Sequence, residues 1–212
     1  PPSPPPHAAA NLLGWADWVL SDAGSGWQQG FFEHDDGSRH SFLRTSYAPC
    51  VATQTVDLLA PRAYFRGYTP REIRDLRLAV RGSVTVRAYA TVADSYFASF
   101  AILDADGTPL MERTFGGGQY DMLPITIEDG PVTLTAEFTA DDMREAAVNI
   151  SAGLNSDPLA ARYVKVTIGG VDGENWNGAY GAEFFDWEVS LGRFPPSPPS
   201  PPPSPPSPPS PS

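Results

Sequence analysis

Three histidines, one cysteine and a scatter of carboxylates are the groups from which this 212-residue chain could build a reactive site. Glu33, His34, Asp35, Asp36 and His40 crowd one polar stretch, EHDDGSRH. Those side chains are types that ligate divalent metals, but a run this polar reads first as a solvated loop between strands, so no metal is assigned. Asp104-Ala-Asp106-Gly107 opens like a calcium loop yet lacks the later ligands, above all a bidentate Glu at the twelfth position. A tight hairpin turn accounts for it. His7 stands at the edge of a proline-rich tail, and Cys50 lies in an apolar stretch that suits a core thiol better than a nucleophile. Catalysis by a triad needs a nucleophile, a base and an orienting acid within reach. The sequence holds no Gly-x-Ser-x-Gly elbow, no phosphate-binding loop, no Cys/His metal spacing and no dinucleotide fingerprint. The expectation is a protein that binds rather than reacts, with no cofactor.

The elements that must position these residues are strands. Val84, Val86, Ala88, Ala90 and Val92 alternate with polar neighbours, as do Val132, Leu134, Ala136 and Phe138. Val164, Val166 and Ile168 form a third set; Phe185, Trp187, Val189 and Leu191 form a fourth, against Asp186, Glu188 and Ser190. Period-2 alternation gives each strand one buried and one wetter face. Turn residues separate the sets at Asp104–Gly107, Gly116–Gly118, Asp129-Gly130 and Gly169-Gly170. Helical signal is confined to a capping-box spacing at Thr69–Glu72 and a short run at Ala140–Ala147. Many short strands with turns between them predict an all-β antiparallel sandwich of about ten strands.

Composition divides the chain into three. Residues 1–7 and 194–212 are proline-rich, and 17 of the 24 prolines lie in these two tails. Residues 8–193 hold the tryptophans, the tyrosines and every phenylalanine but Phe194, enough for one domain with a sizeable core. Proline fixes φ and removes a backbone donor, so the Ser-Pro-Pro tails are predicted to be polyproline II rods of about 3.1 Å per residue. A net charge of −11 excludes the basic footprint that nucleic acid requires. No stretch approaches the roughly 18 apolar residues of a membrane span, and Ala8–Leu13 is too short for a signal peptide. One cysteine permits no internal disulfide, which alone leans towards the cytosol; the tails reverse that lean.

Those tails resemble the hydroxyproline-rich glycoproteins of green algal and plant extracellular matrix. The resemblance implies hydroxylated, O-glycosylated stalk residues, with Pro196, Ser197, Pro199, Ser200, Pro202, Pro203, Ser204, Pro206, Ser207, Pro209 and Ser210 as candidates. Asn149-Ile-Ser151 is an N-glycosylation sequon, meaningful if the protein is secreted.

Between the tails, the order of motifs resembles the F-box-associated domain, the sugar-recognising part of certain ubiquitin-ligase receptors. Asn11-Leu-Leu13, Gly26-Trp27, Thr45-Ser46-Tyr47, Cys50, Gln54 and Asp57-Leu58 carry the first half of that pattern. Arg162-Tyr163, Asp172, Trp176, Gly178 and Gly181-Ala182 carry the second. The resemblance implies a galactose-binding-like jelly roll with ligand loops at one end. It places Asn175, Trp176 and Asn177 where the family has an aromatic-Trp-Lys triplet, and Asp94 in a second contacting loop. An indole held between Gly173 and Gly178 would stack on a pyranose, while two flanking amides would bond its hydroxyls. Packing under the strand ends is the alternative role for Trp176.

The expectation drawn from all of this is a non-catalytic assembly module of an extracellular, hydroxyproline-rich fibre or wall protein, with glycan binding. Its partners would be further copies, other matrix glycoproteins and glycans. The alternative is an intracellular F-box-type receptor, although no F-box precedes the domain in this sequence. Trp15, Trp18, Trp27, Phe31 and Phe32 crowd the N-terminal part and are read as core strands or as a contact patch.

Overall fold

The structure is a computed structural model; it describes residues 13, 17–21, 26–33, 37, 39–60, 79–89, 93–139, 141–142, 161–173 and 181–192. Twelve strands lie in this part: β1 (Val19–Ser21), β2 (Gln28–Glu33), β3 (Arg39–Arg44), β4 (Cys50–Asp57), β5 (Ala79–Arg87) and β6 (Asp94–Leu103). Then follow β7 (Pro109–Phe115), β8 (Gly117–Gly118), β9 (Asp121–Ile125), β10 (Val132–Phe138), β11 (Tyr163–Val171) and β12 (Glu183–Gly192). They form two sheets. One runs β1-β4-β11-β6-β9-β8 with β7 also paired to β6; the other runs β10-β5-β12-β3-β2. Neighbours are antiparallel, and the chain crosses repeatedly from one sheet to the other, so the all-β sandwich expected from the alternation is what forms.

The core lies between the sheets. Val80, Val84 and Val86 face Leu134, Ala136 and Phe138 along the β5–β10 pair, and Val164, Val166 and Ile168 project from β11 against them. Gly82 of β5 leaves room for Phe100 of β6, since a Cβ there would stand 2.3 Å from its ring. The two sheets therefore interlock rather than merely stack. Trp18 meets Trp187 edge-on with ring centroids 5.5 Å apart, and Trp27 tilts against Phe184, so both pack on the core.

The expected hairpin at Asp104–Gly107 joins β6 to β7, with Asp104 Oδ1 accepting the amides of Asp106 and Thr108. At Asp129-Gly130 the strands break through a short 3-10 turn that ends on Gly130 at φ 65°. Asp141 and Asp142 are helical, with reciprocal bonds between Thr139 and Asp142; the rest of the run read at Ala140–Ala147, and Thr69–Glu72, lie outside the described residues.

Two readings of the sequence need correction. Gly169-Gly170 is not a turn but the interior of β11, paired on both sides. A Cβ on Gly169 would stand 2.2 Å from the Phe97 ring and 2.7 Å from the Cys50 carbonyl, and one on Gly170 would stand 2.5 Å from the Ser95 carbonyl. Glycine is there for close approach, not for chain reversal. The second correction concerns β12. Its register against β5 shifts between Phe185 and Glu188, and Asp186 sits at φ 50°. That bulge adds one residue, so Phe184, not Phe185, joins Trp187, Val189 and Leu191 in the core. Phe185 and Asp186 turn to the opposite face.

Crowding at Gly169 gives a direct check. Gly169→Ala is expected to lower unfolding free energy by about 1–3 kcal/mol, seen as an earlier urea midpoint with unchanged slope. An unchanged midpoint would contradict the packing described.

Candidate functional site

On the five-stranded sheet, the side chains facing away from the core start with a charged row. Register aligns Arg87, Glu183, Arg44 and Gln28 across β5, β12, β3 and β2. Hydrogen bonds run the length of the row. Arg87 Nε donates to Glu183 Oε2 at 2.6 Å, Arg44 Nε to Glu183 Oε1 at 2.8 Å, and Arg44 Nη1 to Gln28 Oε1 at 2.7 Å. Glu183 is 0% exposed, and both its oxygens are held by guanidinium groups. The planar fork of arginine suits this sharing of one carboxylate.

The row ends at the pole where the chain passes from β3 to β4, from β5 to β6 and from β11 to β12. The backbone knits these connections together: Thr45 N–H bonds the Ala182 carbonyl, Gly181 N–H the Thr45 carbonyl, and Asp172 N–H the Ser46 carbonyl. Two tyrosines stand out from this pole, Tyr47 at 40% and Tyr89 at 44% exposure. Arg44 lies 3.3 Å from the centre of the Tyr89 ring and fixes that ring by a cation–π contact. The tyrosines are site residues that the alternation pattern does not single out, because each lies just outside a strand.

Asp94 begins β6 at this pole, but it is no exposed loop contact. It pairs in register with Ile125 of the core, is 1% exposed, and accepts the Tyr89 backbone N–H at 3.1 Å. Its role in the structure is to hold the β5–β6 connection from beneath. Burial pushes its carboxyl up to about 7; the Tyr89 amide and Arg44 oppose the shift, while Asp172 and Glu183 add to it.

Asn175, Trp176 and Asn177 lie outside the described residues, between Gly173 and Gly181, whose neighbours Asp172 and Ala182 are pinned to this same pole. Asn149 and the stalk residues Pro196–Ser210 also lie outside them. The strands that flank these segments end at the opposite pole: Phe138 pairs with Val80, Tyr163 with Asp57 and Leu103, and Gly192 with Ala79. There the Asp57–Arg162 pair, 2.6 Å apart, ties β4 to β11.

Of the candidate ligands in the polar stretch 33–40, Glu33 and His40 are described; His34, Asp35 and Asp36 lie outside the described residues. His40 stacks on Phe32 and bonds Asp186 across the sheet through Nδ1. Among the described residues no three His, Cys, Asp or Glu side chains are grouped to hold a metal. Cys50 is buried, its thiol against the Ala48 carbonyl. Phe31 is exposed beneath the Arg39 guanidinium.

The raised Asp94 carboxyl sets a sign for pH dependence. The unfolded chain loses this proton near 3.8, the folded chain near 7. Folded protein therefore binds more protons in that window, and stability falls as pH rises through it. Asp94→Asn keeps an acceptor for the Tyr89 amide without the charge. It is expected to flatten melting temperature between pH 4 and 7 and to raise it at pH 8 by about 3–6 °C. Parallel curves for the two proteins would contradict a buried, protonated Asp94.

No family model and no curated protein sequence matches the chain. Among solved structures, it is similar to the enzymatically active domain of tailspike protein 4 of Bacteriophage CBA120, at 13% identity and TM-score 0.45, covering 85% of this chain and 21% of that one. The chain thus spans about a fifth of that tailspike's length. It is also similar to the CBM22-1 xylan-binding domain of Paenibacillus barcinonensis Xyn10C, at 12% identity and TM-score 0.42, covering 88% and 97%. TmCBM61, solved with β-1,4-galactotriose, matches at 12% identity and TM-score 0.41, covering 88% and 100%. The last two are carbohydrate-binding modules with β-sandwich folds, and likeness at this level assigns no residue of this chain a role.

Proposed function

We propose that this protein is a non-catalytic module of an extracellular, hydroxyproline-rich glycoprotein, and that its knitted pole binds glycans. One observation carries the glycan reading: two exposed tyrosines, one of them clamped, share a pole with the ends of the segment that holds Asn175, Trp176 and Asn177. Sugar recognition needs flat apolar plates that are already rigid, because ordering them on binding costs affinity. Tyr89 meets that need through Arg44 above and Asp94 below.

The direction of the chain supports an assembly role. In sequence the Ser-Pro-Pro tail follows Gly192 and the sequon Asn149 falls between Phe138 and Tyr163; those three strand ends lie at the remote pole. A C-terminal stalk that starts beyond Gly192 leaves the tyrosine pole facing sugars on neighbouring stalks.

Two measurements test this. Peptide mass spectrometry of the native protein is expected to find residues 195–212 heavier by oxygen and by pentose or hexose. Unmodified prolines would remove the extracellular reading and favour an intracellular receptor. On an array of plant-type oligosaccharides, Tyr89→Ala and Trp176→Ala are each expected to weaken binding at least tenfold with melting temperature kept within a few degrees. Binding untouched by either variant would overturn the pole as a glycan site.

A further inference from the structure

Asp186 combines features that folding alone does not favour. A non-glycine residue at φ 50° costs on the order of 1 kcal/mol, somewhat less for aspartate. Its return is a pair with His40 in which its own side chain is 45% exposed. Such pairs are worth about 0–1 kcal/mol. Glycine in the bulge would give the same backbone without strain. Aspartate therefore stands there for something besides stability.

What surrounds it indicates what that is. Phe32 belongs to β2 and Arg87 to β5, with β3 and β12 between them, so their backbones are about 14 Å apart. Yet the Arg87 guanidinium lies 4.3 Å from the Phe32 ring centre, and the Phe32 ring meets Phe185 edge-on at 5.0 Å. Both side chains lean inward over Phe185 and bury it, so the surface there is the Arg87 guanidinium, stacked on aromatic rings, beside the partly exposed Phe32. Arg87 spends Nε on Glu183, and its side chain remains a third exposed. Beside this surface stand the exposed carboxylates of Asp186 and Glu188 and the hydroxyl of Ser83, opposite Glu188 in register. Arg44 and Arg87 face the carboxylates of Glu183, Asp186 and Glu188, so the patch carries both signs and does not favour an acidic ligand. Carboxylates, a hydroxyl and a guanidinium laid flat on aromatic rings match the vicinal hydroxyls of a sugar ring.

We infer that this outer face of the β5–β12–β3–β2 sheet is a second carbohydrate site, taking a neutral oligosaccharide, with Asp186 as its principal acceptor. The bulge exists to turn that carboxylate out of the core and beside His40. This site is separate from the tyrosine pole and does not depend on the pole's reading.

The test uses binding isotherms of the full chain with β-1,4-xylohexaose, β-1,4-galactotriose and an arabino-oligosaccharide, and with an oligogalacturonate as the acidic control. Asp186→Gly is expected to keep or raise the melting temperature while weakening binding of the neutral probe at least tenfold. Asp186→Asn, which tolerates the same backbone and keeps an oxygen for His40, is expected to weaken it less. Trp176→Ala should leave this phase of binding in place and remove only the pole's. If Asp186→Gly lowers the melting temperature and binds every neutral probe as the parent does, Asp186 is a structural pair and the inference fails. Preference for the oligogalacturonate would overturn the assignment of a neutral ligand. Loss in Trp176→Ala alone would leave the pole as the sole site.

Discussion

Glu183 is a carboxylate buried completely on a sheet face, and the rest of the site is arranged around the need to satisfy it. Arg44 and Arg87 meet that need from the two neighbouring strands, and Gln28 extends the row to the edge strand β2. Once Arg44 is fixed, it fixes the Tyr89 ring. Once Arg87 is fixed, it leans over Phe185 and meets Phe32. One buried charge thus positions both the tyrosine pole and the outer face at Arg87.

A buried charged row is a poor device for stability alone, since desolvating the charges offsets much of their attraction. Its value here is geometric: four strands are held in one register at the level where β12 bulges two residues later. Asp94 shows the same preference for geometry over stability. Burial pushes its carboxyl up to about 7, yet it ties the start of β6 to the end of β5 through the Tyr89 amide. Together with the strained Asp186, these are local sacrifices of stability, one in the seven-stranded sheet and two in the five-stranded one.

Much of the fold was legible because its signal is periodic. The alternation in Val132–Phe138 and Val164–Ile168 is realised residue by residue, and the Asp104–Gly107 turn sits where it was read. The motif segments at 45–58 and 162–182 also had a reason to recur together: Asp57 bonds Arg162, and Thr45 and Ser46 bond Ala182, Gly181 and Asp172. What was not legible depends on tertiary contact. A bulge leaves no mark in an alternating string, so Phe185 was read on the wrong face. Gly169-Gly170 resembles a turn until Phe97 is seen lying across it. Asp94 was read as a loop contact, but its inward direction follows from pairing with Ile125.

The dependence of the site on Glu183 is tested most directly by urea unfolding of Glu183→Gln against the parent protein. Gln keeps the volume but leaves two guanidinium groups without their anion, one of them buried. The expected result is a loss of about 3 kcal/mol, with an unchanged slope. A loss below about 0.5 kcal/mol, the range of ordinary surface substitutions, would contradict the central place given to this carboxylate.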